Sequence, residues 1–132
     1  MIEFFIPMRL PTVTIQEHGV GVNGKGKGYI YDTQEIKAAK ALFRDHLAKF
    51  APAAPFDRPV KLHTIWCYDC GDTHHDGEWK ITKPDTDNSL KMLKDVMTKL
   101  RFWHDDAQVA SEITQKLWRK VPGLYVAVEE LS

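Results

Sequence analysis

Apolar and polar positions along the chain alternate in some stretches and recur at helical steps in others. Glu3 to Ile6 reads as a short strand and Thr12 to Gln16 as a second. From Gly19 to Gly28, five glycines together with Lys25 and Lys27 predict a mobile, mildly basic loop. Ile36, Ala39, Phe43, Leu47 and Phe50 then mark one face of a helix running from about Thr33 to Phe50. Asp32, with Glu35 three residues on, supplies its start signal, and Pro52 and Pro55 end it. Val60, Leu62, Trp66 and Tyr68 alternate with Lys61 and His63, the pattern of a strand. Asp69 to Asp76 suits a polar loop, and Glu78 to Thr82 a returning strand that completes a hairpin. Pro84, which has no N–H to donate, breaks that run.

A second helix starts near Asp87 and shows Leu90, Leu93, Met97 and Leu100 on one side. Beyond Asp105 and Asp106, the residues Val109, Ile113 and Leu117 share a face of a further strand. Leu124, Val126 and Val128 form the last strand, after Pro122 and Gly123. Strands, helix, strands, helix, strands is the order of an α+β domain with a mixed sheet and two main helices, rather than of repeated βαβ units. With no internal repeat or linker, residues 1–132 read as a single domain.

Composition narrows the setting. No apolar run is long enough to span a membrane, and the first residues lack the basic flank of a signal peptide. The only cysteines are Cys67 and Cys70, so a disulfide scaffold is not expected and a reducing cytoplasm is. Eighteen basic and 18 acidic residues cancel, which argues against coating nucleic acid by bulk charge. The charge is nevertheless segregated. Asp69, Asp72, Asp76 and Glu78 precede a segment, Trp79 to Arg101, with six Lys/Arg against three Asp.

Gly19, Gly21 and Gly24 have the spacing of a dinucleotide fingerprint. That motif needs a preceding strand and a helix opening within it, whereas the strand-like Tyr29-Ile30-Tyr31 follows here. No nucleotide cofactor is expected. Cys67, Cys70, His74 and His75 carry metal-ligand chemistry, but all lie within nine residues, whereas structural zinc sites draw ligand pairs from separate segments. They read as part of a polar hairpin loop.

The stretch with the most chemistry is Lys83-Pro84-Asp85-Thr86-Asp87-Asn88-Ser89-Leu90-Lys91. Two aspartates one residue apart before a helix can offer oxygen ligands to a hard cation. Lys91, one turn further on, lies on roughly the same side. Such residues are also common helix caps. A second cluster, Asp105-Asp106-Ala107-Gln108-Val109, sets adjacent like charges that need solvent, protons or a cation. One of these two could complete a three-carboxylate site across the helix from Asp85 and Asp87.

The two motifs together, followed by Lys116, resemble the RusA family of Holliday junction resolvases, densely from Lys83 to Lys116 and more loosely elsewhere. The resemblance implies a RusA-like fold, a homodimer, and Mg2+ as cofactor with Mn2+ able to substitute. It implies paired phosphodiester hydrolysis in branched DNA such as four-way junctions, in DNA recombination and repair. Asp85, Asp87, Lys91 and Asp106 are then the catalytic set. Asp85, Asp87 and Asp106 hold metal, and Asp105 supports them or joins them. Lys83, Lys116, Lys25, Lys27 and Arg101 are candidates for DNA phosphates. Two rival functions use the same residues: a metal-dependent nucleotide pyrophosphohydrolase, and a non-catalytic branched-DNA-binding module.

Overall fold

The computed structural model describes residues 1–12, 19–22, 24 and 26–132. Its elements are β1 (Ile2–Pro7), β2 (Gly19–Val22), β3 (Gly28–Tyr31), α1 (Gln34–Leu47), β4 (Val60–Asp69), α2 (Thr86–Lys99), β5 (Val109–Arg119) and β6 (Gly123–Glu130). Four strands form a mixed sheet in the order β1-β6-β4-β5. Only β4 and β5 run parallel, and α2 connects them. The expected α+β class with two main helices is the observed one.

Alternation along β4 fixes which face is covered. Val60, Leu62, Thr64, Trp66 and Tyr68 are buried, while Lys61, His63 and Ile65 between them stay half-exposed. Against the covered face pack Ile36, Ala39, Phe43 and Leu47 of α1 and Leu90, Leu93, Val96 and Met97 of α2. Phe43 meets Trp66 edge-on with centroids 5.8 Å apart, the favoured aromatic geometry. The buried Trp66 indole donates to Thr64 Oγ1 at 2.9 Å, so its N–H is satisfied within the core. At the start of β6, Gly123 is required by close approach: a Cβ there would stand 2.4 Å from the Ile6 carbonyl oxygen of β1.

Several local expectations change. The Gly19–Gly28 stretch is a loop only in its middle, because its ends pair as an antiparallel two-stranded ribbon, β2 with β3. Thr12 lies outside any strand, and residues 13–16 of the expected second strand fall outside the described residues. α1 is capped by Thr33, whose Oγ1 accepts from the Ile36 N–H, rather than by Asp32. Asp32 instead pairs with Lys40 at 3.0 Å. The α-helix ends at Leu47 and tightens into a 3-10 turn over Ala48–Phe50. Glu78–Thr82 does not return beside β4. It touches the outer edge of β5 through a single bridge, Trp79 to Leu117.

Candidate active site

The site begins where β4 leaves the sheet. The chain from Cys70 to Thr82 is strapped to the end of β5. The Cys70 N–H donates to the Arg119 carbonyl, Gly77 N–H to Trp118, Trp118 N–H to Glu78 and Lys80 N–H to Lys116. Asp76 accepts from the Lys120 N–H and the Arg119 guanidinium, both at 2.9 Å, and these bonds hold its carboxyl below the usual range. His74 lies flat on Trp118 with centroids 4.0 Å apart and reaches Glu78 through Nδ1. Cys67 and Cys70 are buried. Asp76, His74 and Glu78 serve the strap, Cys70 opens it, and Cys67 lies within β4.

The strap delivers the chain to the carboxylate motif. Lys80 is buried beneath it, its ammonium 4.1 Å from the Trp118 ring centroid and donating to Thr82 Oγ1 at 2.6 Å. Lys116 donates to the carbonyls of Thr82 at 2.6 Å and Pro84 at 2.8 Å. The Lys83–Pro84 peptide is cis. Asp85 follows as the N-cap residue of α2, yet its side chain makes no capping hydrogen bond. Asp85, Asp87, Lys83 and Lys91 are exposed, with Lys91 one turn beyond Asp87. Behind them the Tyr68 hydroxyl is buried with no hydrogen-bond partner among the described residues, and burial pushes its pKa up to about 12.

The other end of α2 is built differently. Leu100 closes the helix, and Arg101 takes a left-handed conformation at φ 67° that glycine would adopt more readily. The Phe102 N–H then returns to the Met97 carbonyl and the Arg101 N–H to that of Thr98. A 3-10 turn over Asp106–Gln108 precedes β5, so the aspartate pair does not open the strand directly. Asp105 caps this turn by accepting from the Ala107 N–H at 2.9 Å. Gln108 reciprocates: its Oε1 accepts from the N–H groups of His104 and Asp105, and its Nε2 donates to the carbonyls of Phe56 and Arg58. Asp106 is half-buried, leaves capping to its neighbour, and lines an open cavity of about 300 Å³ with Thr98, Lys99 and His104. His104 is tied to Asp57 at 2.7 Å and to Arg101 at 3.2 Å.

The two carboxylate groups are therefore far apart within one chain. α2 has 14 residues, about 21 Å at 1.5 Å per residue. Asp85 and Asp87 stand at its first turn, and Asp106 beside its last. The sheet gives the same answer, since Val109, just past Asp106, and Lys116, bonded to Pro84, are separated by roughly 23 Å of strand. Among the described residues no three His, Cys, Asp or Glu side chains converge as metal ligands.

Of the expected phosphate contacts, Lys25 lies outside the described residues and Lys27 is exposed just before β3. Sequence reasoning did not single out Lys80 or Asp57, and gave Gln108 no role. Lys80 is one lysine in a basic run, and nothing in its spacing marks it as buried. Gln108 stands three residues after Asp105, the capping-box spacing, which was the available signal.

Comparison with known proteins adds to this geometry. The family model for Endodeoxyribonuclease RusA matches residues 11–129. The crossover junction endodeoxyribonuclease RusA of Lactococcus phage r1t is 34% identical over 103 residues, covering 76% of each chain.

Proposed function

The chain belongs to the RusA family of endodeoxyribonucleases, and from that premise we propose that it is a Mg2+-dependent nuclease that resolves Holliday junctions as a homodimer, each active site being shared between two chains. The observation that carries the shared site is the placement of Asp85 and Asp87 at one end of α2 and Asp106 at the other. A dimer axis crossing the middle of α2 would set the Asp85 end of one chain beside the Asp106 end of its partner. It would do so twice, giving two identical sites on the order of 20 Å apart, suited to paired cuts in a four-way junction.

The donor set fits a hard cation. Asp85 and Asp87 are exposed oxygen ligands, and Asp85 is not engaged in capping its helix. Asp106 would join them from the partner chain, held in place by the turn that Asp105 and Gln108 build. When bound, the cation supplies positive charge that activates water and offsets charge on the attacked phosphate. Lys91 would add an ammonium one turn from Asp87, where the transferred phosphoryl group gathers negative charge. Mn2+ is expected to substitute. The substrate is selected by the shape of branched DNA more than by base contacts, and the role is in DNA recombination and repair.

Cleavage of a labelled four-way junction beside its matched linear duplex, in Mg2+ and in EDTA, tests the activity. Paired nicks confined to the junction and lost in EDTA are expected. Binding without cutting would point to a DNA-binding module, and nucleotide turnover without DNA cleavage to a pyrophosphohydrolase. Mixing Asp87→Asn with Asp106→Asn chains tests the shared site. Each variant alone should be inactive, while a mixed dimer keeps one intact pair of ends and should nick junctions. A mixture that stays silent would place each site within one chain.

A further inference from the structure

Two ammonium groups, the half-buried Lys116 and the buried Lys80, donate to the chain at Thr82–Pro84, just where it enters the carboxylate motif. Lys116 rises from β5 and bonds the carbonyls on either side of Lys83, at 2.6 and 2.8 Å. The second of these, on Pro84, is one peptide link from Asp85. Pro84 is itself buried and has a φ fixed by its ring, so anchoring its carbonyl sets the direction in which the chain enters α2. Lys80 secures the same segment through Thr82 Oγ1. The Trp118 and Tyr68 rings face its charge, at 4.1 and 5.0 Å. Burial first, and then the neighbouring Lys116, hold the Lys80 pKa below the ordinary lysine range.

An ammonium has three N–H donors, and Lys116 commits two of them to the backbone. Only the third donor is left for a DNA phosphate, and a larger commitment to DNA would leave one or both carbonyls to find other partners. We infer that Lys116, backed by Lys80, is a positioning residue that holds Asp85 and Asp87 in register for the metal by anchoring the Thr82–Pro84 backbone, and is not a DNA-phosphate contact. The inference rests on the proposed role of Asp85 and Asp87 as metal ligands.

The test uses the full-length protein and two readouts other than turnover: Mn2+ binding followed by loss of the free-ion paramagnetic resonance signal, and four-way junction binding in EDTA across a salt series. Lys116→Met should weaken Mn2+ binding about 10- to 100-fold, the scale seen when a group that orients a metal ligand is lost. It should leave junction affinity and its salt dependence unchanged, and Lys116→Arg should recover part of the loss. If Lys116→Met is unfolded by circular dichroism, Lys116→Gln, which keeps an N–H donor, replaces it and should fall between Met and wild type. Weaker junction binding in EDTA, with a salt slope shallower by about one phosphate contact, would overturn the inference and make Lys116 a DNA ligand. Unchanged Mn2+ affinity would also overturn it. Asp87→Asn in the same titration separates the two levels. If it abolishes Mn2+ binding while Lys116→Met does not weaken it, the positioning role alone fails. If Asp87→Asn binds Mn2+ like wild type, the metal-site reading itself fails.

Discussion

The two ends of α2 each present aspartates to the chain that enters or leaves them, and the backbone uses them in opposite ways. At the first turn Asp85 occupies the cap position while its oxygens stay out of capping. Past the last turn both Asp105 and Asp106 line the cavity, but Asp105 gives an oxygen to the Ala107 N–H while Asp106 does not cap the turn. The first end is steadied by Lys116 on two backbone carbonyls, the second from its flank by one glutamine that reaches four backbone groups. In both cases the residue that holds the turn differs from the one we propose as a metal ligand. A carboxylate at a helix start is therefore no evidence of capping until its hydrogen bonds are examined.

That contrast can be broken or sharpened by substitution. The largest effect is expected from Asp85→Asn, since asparagine suits an N-cap as well as aspartate does. Thermal stability should hold while single-turnover junction cleavage falls at least ~10³-fold, about 4 kcal/mol of barrier. A marked drop in Tm would show that Asp85 supports the helix after all. Gln108→Ala strips the other turn of its cross-ties and should lower the free energy of unfolding by about 2 kcal/mol, read from urea midpoints. A change within about 0.5 kcal/mol would mean the turn holds itself. Asp105→Ala removes one cap and should cost about 1 kcal/mol, with far more cleavage retained than in Asp85→Asn. Equal loss of cleavage in both would make Asp105 a ligand. The smallest effect has the opposite sign: Arg101→Gly relieves a left-handed backbone and should raise stability by about 0.5 kcal/mol in the same melts.

Much of the fold was legible because its signals are local. The alternation of β4 and the apolar faces of α1 and α2 depend on neighbours within a few residues, and each appears where the pattern put it. The failures come from partners the pattern does not show, some distant in sequence and some near. Trp79 and Ile81 look like strand residues, yet they are 61% and 91% exposed, because the segment bridges a strand that begins thirty residues later. Asp32 and Thr33 are both good caps, and Asp32 is drawn off by Lys40. In the candidate site, both motifs stood out in the sequence, but their separation did not. A helix read as a spacing of residues conceals its length, and 14 residues are enough to keep its two ends from sharing one ion.

The pairing of β1 with β6 has a consequence for how the molecule is made. Ile2 lies opposite Val128 and Ile6 opposite Leu124, while β6 is also the strand between β1 and β4. During synthesis the first strand has no sheet neighbour until residues near the far end emerge, and the loop to be closed spans most of the domain. Such long-range pairing slows folding, although the entropy of closure grows only with the logarithm of loop length. A chain stopped before Gly123 would hold both carboxylate motifs on the β4–β5 pair alone, with β1 unpaired and one edge of β4 open. Possession of the chemical groups and competence to cut are thus separated in time, the second arriving only with the final strand.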